Sequence, residues 1–275
     1  MKHLKSLEEF RSVNEQLFSN YTGMLAKLLQ GEKLENSPIN GSITMKGSIS
    51  GDKAKNAQAI INSMNKHGVT NPYAQKAILG VIGKECGFMP QNETSYSTTS
   101  SSRIRGIFGA RVSSMTDAQI DQLKKNDEAF YNHMYGGRYG NSPTEGYKYR
   151  GRGFNGITFK GIYQNMQKLM DKLGKLDRKV DIVNNPDVLN EIDVAAEVAV
   201  LYFLDRCSSP KMNQKYGVSD INGFKDEETA LKAMVNANAG WGNDLNSPFA
   251  LENLNKARDV AQQFNVSDLG RSNVA

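Results

Sequence analysis

A mainly α-helical fold is predicted by three observations: apolar residues recur at steps of three or four, helix start and stop signals bracket several of those runs, and strand-like patterning is confined to short stretches. With 275 residues, 39% hydrophobic and 23% charged, the chain can bury one large core or two modest ones.

Leu7, Phe10, Val13, Leu17, Tyr21, Met24 and Leu28 predict an amphipathic helix over about residues 6–30, which either packs on its own domain or docks on a partner. From 31 to 52 the chain turns to Asn, Ser, Gly, Thr and Lys, with Ile39, Ile43, Met45 and Ile49 partly alternating, so a linker or a small β-hairpin is expected. This gives two segments, 1–50 and 51–275. Helices are then expected near 54–66, 72–86, 117–134, 161–173, 194–205, 227–236 and 248–264, with a small β element near 155–158. Asn71 before Pro72, Ser247 before Pro248, and Gly174 after Leu173 punctuate them.

Glu85 interrupts this pattern. Ala74, Ile78, Val81 and Ile82 form an apolar stripe, and Glu85 falls three and four positions after the last two. A carboxyl group leaving water is easier to protonate, so Glu85 is a candidate proton donor. Glu93 follows among Gln91, Asn92, Thr94 and Ser95, a polar setting that suits an ionised base.

Other chemistries find few residues. Cys86 and Cys207 belong to no disulfide framework or zinc pattern and read as reduced buried thiols. His3, His67 and His133 are the only histidines and read as structural. No metal, nucleotide or organic cofactor is implied. The net charge of +5 favours an anionic partner, but basic residues alternate with acidic ones, as in Lys175, Asp177, Arg178 and Asp181, and no basic stripe for nucleic acid appears. There is neither a transmembrane run nor a secretion signal at Met1 to Phe10.

Between 134 and 161 lies a loop rich in Gly, Tyr and Arg, including Arg138, Tyr139, Asn141, Tyr149, Arg150 and Arg152. Its glycines admit a ligand to the backbone, and its flat side chains suit sugar rings; the alternative is a loop under tight conformational demand.

Four stretches in a fixed order carry a resemblance: Glu85-Cys86-Gly87-Phe88-Met89-Pro90 leading to Glu93-Thr94-Ser95-Tyr96; 132–141; Glu145 to Gly153 followed by Thr158 and Tyr163; and Val235-Asn236-Ala237-Asn238-Ala239-Gly240. Together they resemble family 19 glycoside hydrolases, in particular phage endolysins and tail-associated lysozymes. The resemblance spans about residues 66–240 and implies a lysozyme-like, two-lobed helical domain with a cleft. It makes Glu85 the general acid, Glu93 the general base and Thr158 a holder of the attacking water. Inversion requires the carboxyl groups to stand roughly 6.5–9.5 Å apart. Tyr96 and Tyr149 are candidates to flank the sugar, with Asn141, Asn155 and Asn236 as further binding residues. Arg138, Arg150 and Arg152 either bind acyl or lactyl oxygens or brace the loop. The chain departs from the family pattern at Gly156, where glutamine is usual, and at Ile162, where asparagine is usual.

The implied activity is hydrolysis of the β-1,4 bond between N-acetylmuramic acid and N-acetylglucosamine in bacterial peptidoglycan. Alternatives are a chitinase, a virion structural or wall-binding protein, and a transglycosylase with one catalytic glutamate. The resemblance places the protein in the host cytoplasm before release to the wall, or in the virion tail, with residues 1–50 as a candidate docking segment for tail or baseplate proteins.

Overall fold

The computed structural model describes residues 41–239 and 247–268. Among them the fold is mainly helical, with one two-stranded sheet. In chain order the elements are β1 (Gly41–Met45), α1 (Gly51–Lys66), α2 (Pro72–Cys86), α3 (Ser101–Phe108), α4 (Asp117–Leu123), α5 (Asp127–Tyr135), α6 (Lys160–Leu173), α7 (Ile192–Cys207), α8 (Pro210–Tyr216), α9 (Glu227–Ala239), α10 (Pro248–Ala261) and β2 (Phe264–Asp268). The helix expected over 6–30 lies outside the described residues.

The strand signal within 31–52 is met at β1, but its partner is distant. β1 pairs antiparallel with β2, Gly41 opposite Asp268 and Met45 opposite Phe264. Ile43 and Ile49 enter the main core, so residues 41–50 pack with the helical body that begins at α1. The helix expected to run to 264 ends at Ala261, because Phe264 turns into β2 and buries its ring edge-on to Phe88. No described helix is long and apolar enough to cross a membrane.

Buried side chains form two hydrophobic clusters. The larger gathers α1, α2, α6, α7, α9 and α10; the smaller is built from α3 to α5 around Phe108, Phe130, Tyr131 and Tyr135. Helix α2 is central to the larger one. Asn71 starts it, accepting from the amides of Tyr73 and Ala74 while its own amide donates to the carbonyls of Asn222 and Phe224. A cap of this kind is worth about 1 kcal/mol. Gly87, in the left-handed region, ends it. Gly80 lets α10 come close: a Cβ there would stand 2.6 Å from the Ala257 carbonyl oxygen. The two helices therefore hold a fixed relation, and with it Glu85 and the first turn of α10.

The expected helix over 117–134 is two helices. Lys124 and Lys125 end α4, and Asn126 caps α5 by accepting from Ala129 N–H at 2.9 Å. Near 155–158 the β element is a single bridge between Arg152 and Ile157.

Candidate active site

A cavity of about 540 Å³ opens where the two clusters approach each other. That volume is in the range that holds a small ligand. Val81 and Val235 supply apolar lining, and Glu85, Glu93, Thr158 and Asn238 face it from different segments.

Glu93 lines the cavity and is held by three donors. Its Oε1 accepts from the Tyr135 hydroxyl at 2.7 Å and the Tyr96 hydroxyl at 3.1 Å, and its Oε2 from the Gly151 amide at 3.2 Å. The Glu93 amide returns a bond to the Gly151 carbonyl at 2.7 Å. Burial pushes the carboxyl above its ordinary range, while the bonds from Tyr135, Gly151 and Tyr96 pull it down; burial wins. Gly151 permits the approach. A Cβ there would stand 3.3 Å from both Glu93 Cβ and Oε2, and 3.4 Å from Thr158 Oγ1, so the carboxyl and the hydroxyl flank the same point.

Thr158 donates to the Gly156 carbonyl at 2.8 Å, which leaves its lone pairs for another donor. The next residue, Phe159, has φ 74° and ψ 136°, a sparsely populated region that costs a side chain with a Cβ about 1–3 kcal/mol. Packing offsets that cost: the Phe159 ring lies edge-on to Tyr135, with centroids 5.2 Å apart, and to Tyr139 at 4.4 Å. Thr158 and the hydroxyl that orients Glu93 are thus parts of one packed unit.

Glu85 does not occupy apolar surroundings, contrary to the stripe. Its side chain is 36% exposed. The stripe runs past the core at this turn and into the cavity. There Glu85 Oε1 accepts from Lys84 Nζ at 2.5 Å and Asn238 Nδ2 at 2.9 Å, and Oε2 has no hydrogen bond among the described residues. Asn155 Nδ2 approaches Asn238 Oδ1 at 3.5 Å, and Lys84 Nζ reaches Asn253 Oδ1 at 3.4 Å. The contrast between the two carboxyl groups is real but reversed from expectation: Glu93 is the enclosed one.

Of the sequence-derived candidates, Glu85, Glu93, Thr158, Tyr96 and Asn155 meet at the cavity. Six others do not line it. Tyr149 is 1% exposed and donates to the Val183 carbonyl. Arg150 stacks on the Tyr147 ring at 4.0 Å and donates to its carbonyl. Arg152 pairs with Asp187 at 2.8 Å and also reaches the Lys148 carbonyl and the Tyr163 hydroxyl. Arg138 lies over Tyr139 and Phe159 and donates to the Met134 carbonyl. Asn141 ties the Tyr135 carbonyl to the Lys160 amide. Asn236 is fully buried against the Tyr216 hydroxyl. These side chains brace the loop and the core.

Sequence reasoning missed Asn238, Lys84 and Tyr135. Asn238 lies two residues after Asn236, in the same asparagine-rich run at the end of α9. Tyr135 lies in the 132–141 stretch, but nothing local ties it to Glu93, because that bond depends on α5 packing beside the Glu93 segment.

Both cysteines are free. Cys207 is fully buried, whereas Cys86 is only half-buried and its thiol is pushed up to about 11, mainly by burial. His67 is locked in a buried pair with Glu197 at 2.8 Å, and His133 faces the Arg111 carbonyl. Among the described residues no group of His, Cys, Asp and Glu gathers to hold a metal ion. No protein-family model matches the chain, and no curated protein matches it.

Proposed function

We propose that this chain is a glycoside hydrolase of the lysozyme-like kind, cleaving the β-1,4 bonds of bacterial peptidoglycan with inversion at the anomeric carbon. The observation that carries the reading is that Glu85, Glu93 and the Thr158 hydroxyl face one cavity from three separate segments. The resemblance to family 19 glycoside hydrolases supports the same three residues.

In this reading Glu93 is the general base. Its enclosure makes it more basic than a solvated carboxylate, and three donors fix its direction. A water beside Gly151 donates one hydrogen to Glu93 Oε2 and the other to Thr158 Oγ1, leaving an oxygen lone pair for the anomeric carbon. Glu85 is the general acid. Lys84 and Asn238 both donate to Oε1, so Oε2 is the oxygen that carries the proton to the leaving glycosidic oxygen. Tyr96 and Asn155 are the binding residues of this reading that line the cavity.

Release of reducing ends from purified peptidoglycan tests the proposal. The unmodified protein is expected to release them, and Glu85→Gln and Glu93→Gln are expected to lose the activity while keeping the helical circular dichroism. Anhydro-sugar ends would assign a transglycosylase instead, and faster release from chitin oligomers a chitinase.

A further inference from the structure

We propose that Phe249 is a stacking platform for the sugar ring on the leaving-group side of the cleaved bond, an assignment that rests on the proposed glycosidase activity. Phe249 is 66% exposed, the most exposed of the large hydrophobic side chains among the described residues. Burying a Phe side chain contributes about 1.5–3 kcal/mol, most of which this ring forgoes. The helix does not need it. Ser247 caps α10 by accepting from Ala250 N–H, and Ala250, Leu254, Ala257 and Ala261 bury its inner face. Met89, Ile192 and Leu251 are also exposed, but of these four only Phe249 lines the cavity.

Its position relative to Glu85 sets the subsite. The Phe249 carbonyl accepts from Asn253 Nδ2 at 3.0 Å, Asn253 Oδ1 accepts from Lys84 Nζ, and Lys84 holds Glu85. Glu93 is held instead by Tyr96, Tyr135 and Gly151. The α10 wall therefore belongs to the proton donor, whose partner is the leaving oxygen. An exposed ring at that wall supplies a large flat apolar surface that the C–H face of a pyranose can cover.

The test uses the full chain on purified peptidoglycan, measuring KM and kcat from reducing-end release for Phe249→Ala, Phe249→Leu and Phe249→Tyr, with thermal unfolding of each. Phe249→Ala and Phe249→Leu are expected to raise KM on the order of tenfold with unchanged unfolding temperature, and Phe249→Tyr to restore it, because a ring face rather than bulk is required. Active variants with unchanged KM would overturn the platform while leaving the glycosidase reading in place, as would a Phe249→Leu variant that binds like the unmodified chain. If the unmodified chain releases no reducing ends, the reading and the platform fall together.

Discussion

The Tyr135 hydroxyl donates to Glu93 Oε1 at 2.7 Å, joining the smaller hydrophobic cluster directly to the proposed base. Tyr135 is 3% exposed and its ring meets Phe159, so the donor cannot swing away. The acidic limb of kcat/KM reports protonation of the base in the free enzyme. Glu93 is raised by burial and pulled down by three donors, of which Tyr135 is the strongest. Tyr135→Phe removes that donor, so the pKa of Glu93 rises further and the acidic limb moves to higher pH. A pH–rate profile that stays in place would show that Glu93 is not the group the limb reports.

Asn238→Ala removes one of two donors at Glu85 Oε1. Asn238 is half-buried at the end of α9, so little packing is lost. Turnover is expected to fall on the order of tenfold with the unfolding temperature unchanged, the value of one hydrogen bond to a charged group. Stopped assays on purified peptidoglycan check this.

Gly80→Ala tests the relation between α2 and α10. The added methyl group would stand 2.6 Å from a backbone oxygen and 3.0 Å from Ala261 Cβ, neither of which can rotate aside. Overpacking of about 1–3 kcal/mol exceeds the gain of about 1 kcal/mol from better helix propensity. The unfolding temperature is expected to fall by roughly 2–4 °C for each net kcal/mol, and activity with it, because Glu85 and Phe249 lie on the two displaced helices.

How much of the fold is legible in the sequence varies with distance along the chain. Helix α2 is legible to the residue because Asn71, Pro72 and Gly87 mark its ends locally. Helices α3 and α8 are not, being short and poorly patterned: α3 buries only Ile104, Phe108 and Ser101, and α8 buries only Met212. Strand β2 is invisible, since its partner lies more than 200 residues earlier. The same rule governs the site. Glu85 stands out because a charge breaks a local period, yet its exposure depends on where α9 and α10 leave the cavity open. The arginines stand out by composition alone, and composition does not say which way a side chain turns.

The buried pair of His67 and Glu197 predicts an acid sensitivity unrelated to catalysis. Burial raises the Glu197 carboxyl, but bonds from His67, the Lys175 amide and Ser63 hold it below the ordinary range. A folded-state value below the unfolded one gives stability that is full above about pH 4.3 and is lost as pH falls through the folded value. Thermal unfolding should therefore drop on acidification below about pH 4, and less steeply for Glu197→Gln. At neutral pH, Glu197→Ala leaves the His67 ring nitrogen, the Lys175 amide and the Ser63 hydroxyl without their partner and is expected to cost about 1–3 kcal/mol.

The configuration of the new reducing end tests the central claim most directly. Proton NMR of peptidoglycan fragments in the first minutes of digestion should show the α-anomer ahead of mutarotation, and Glu93→Gln should abolish its appearance. A β-anomer first, or undiminished release by Glu93→Gln, would contradict an inverting mechanism with Glu93 as its base.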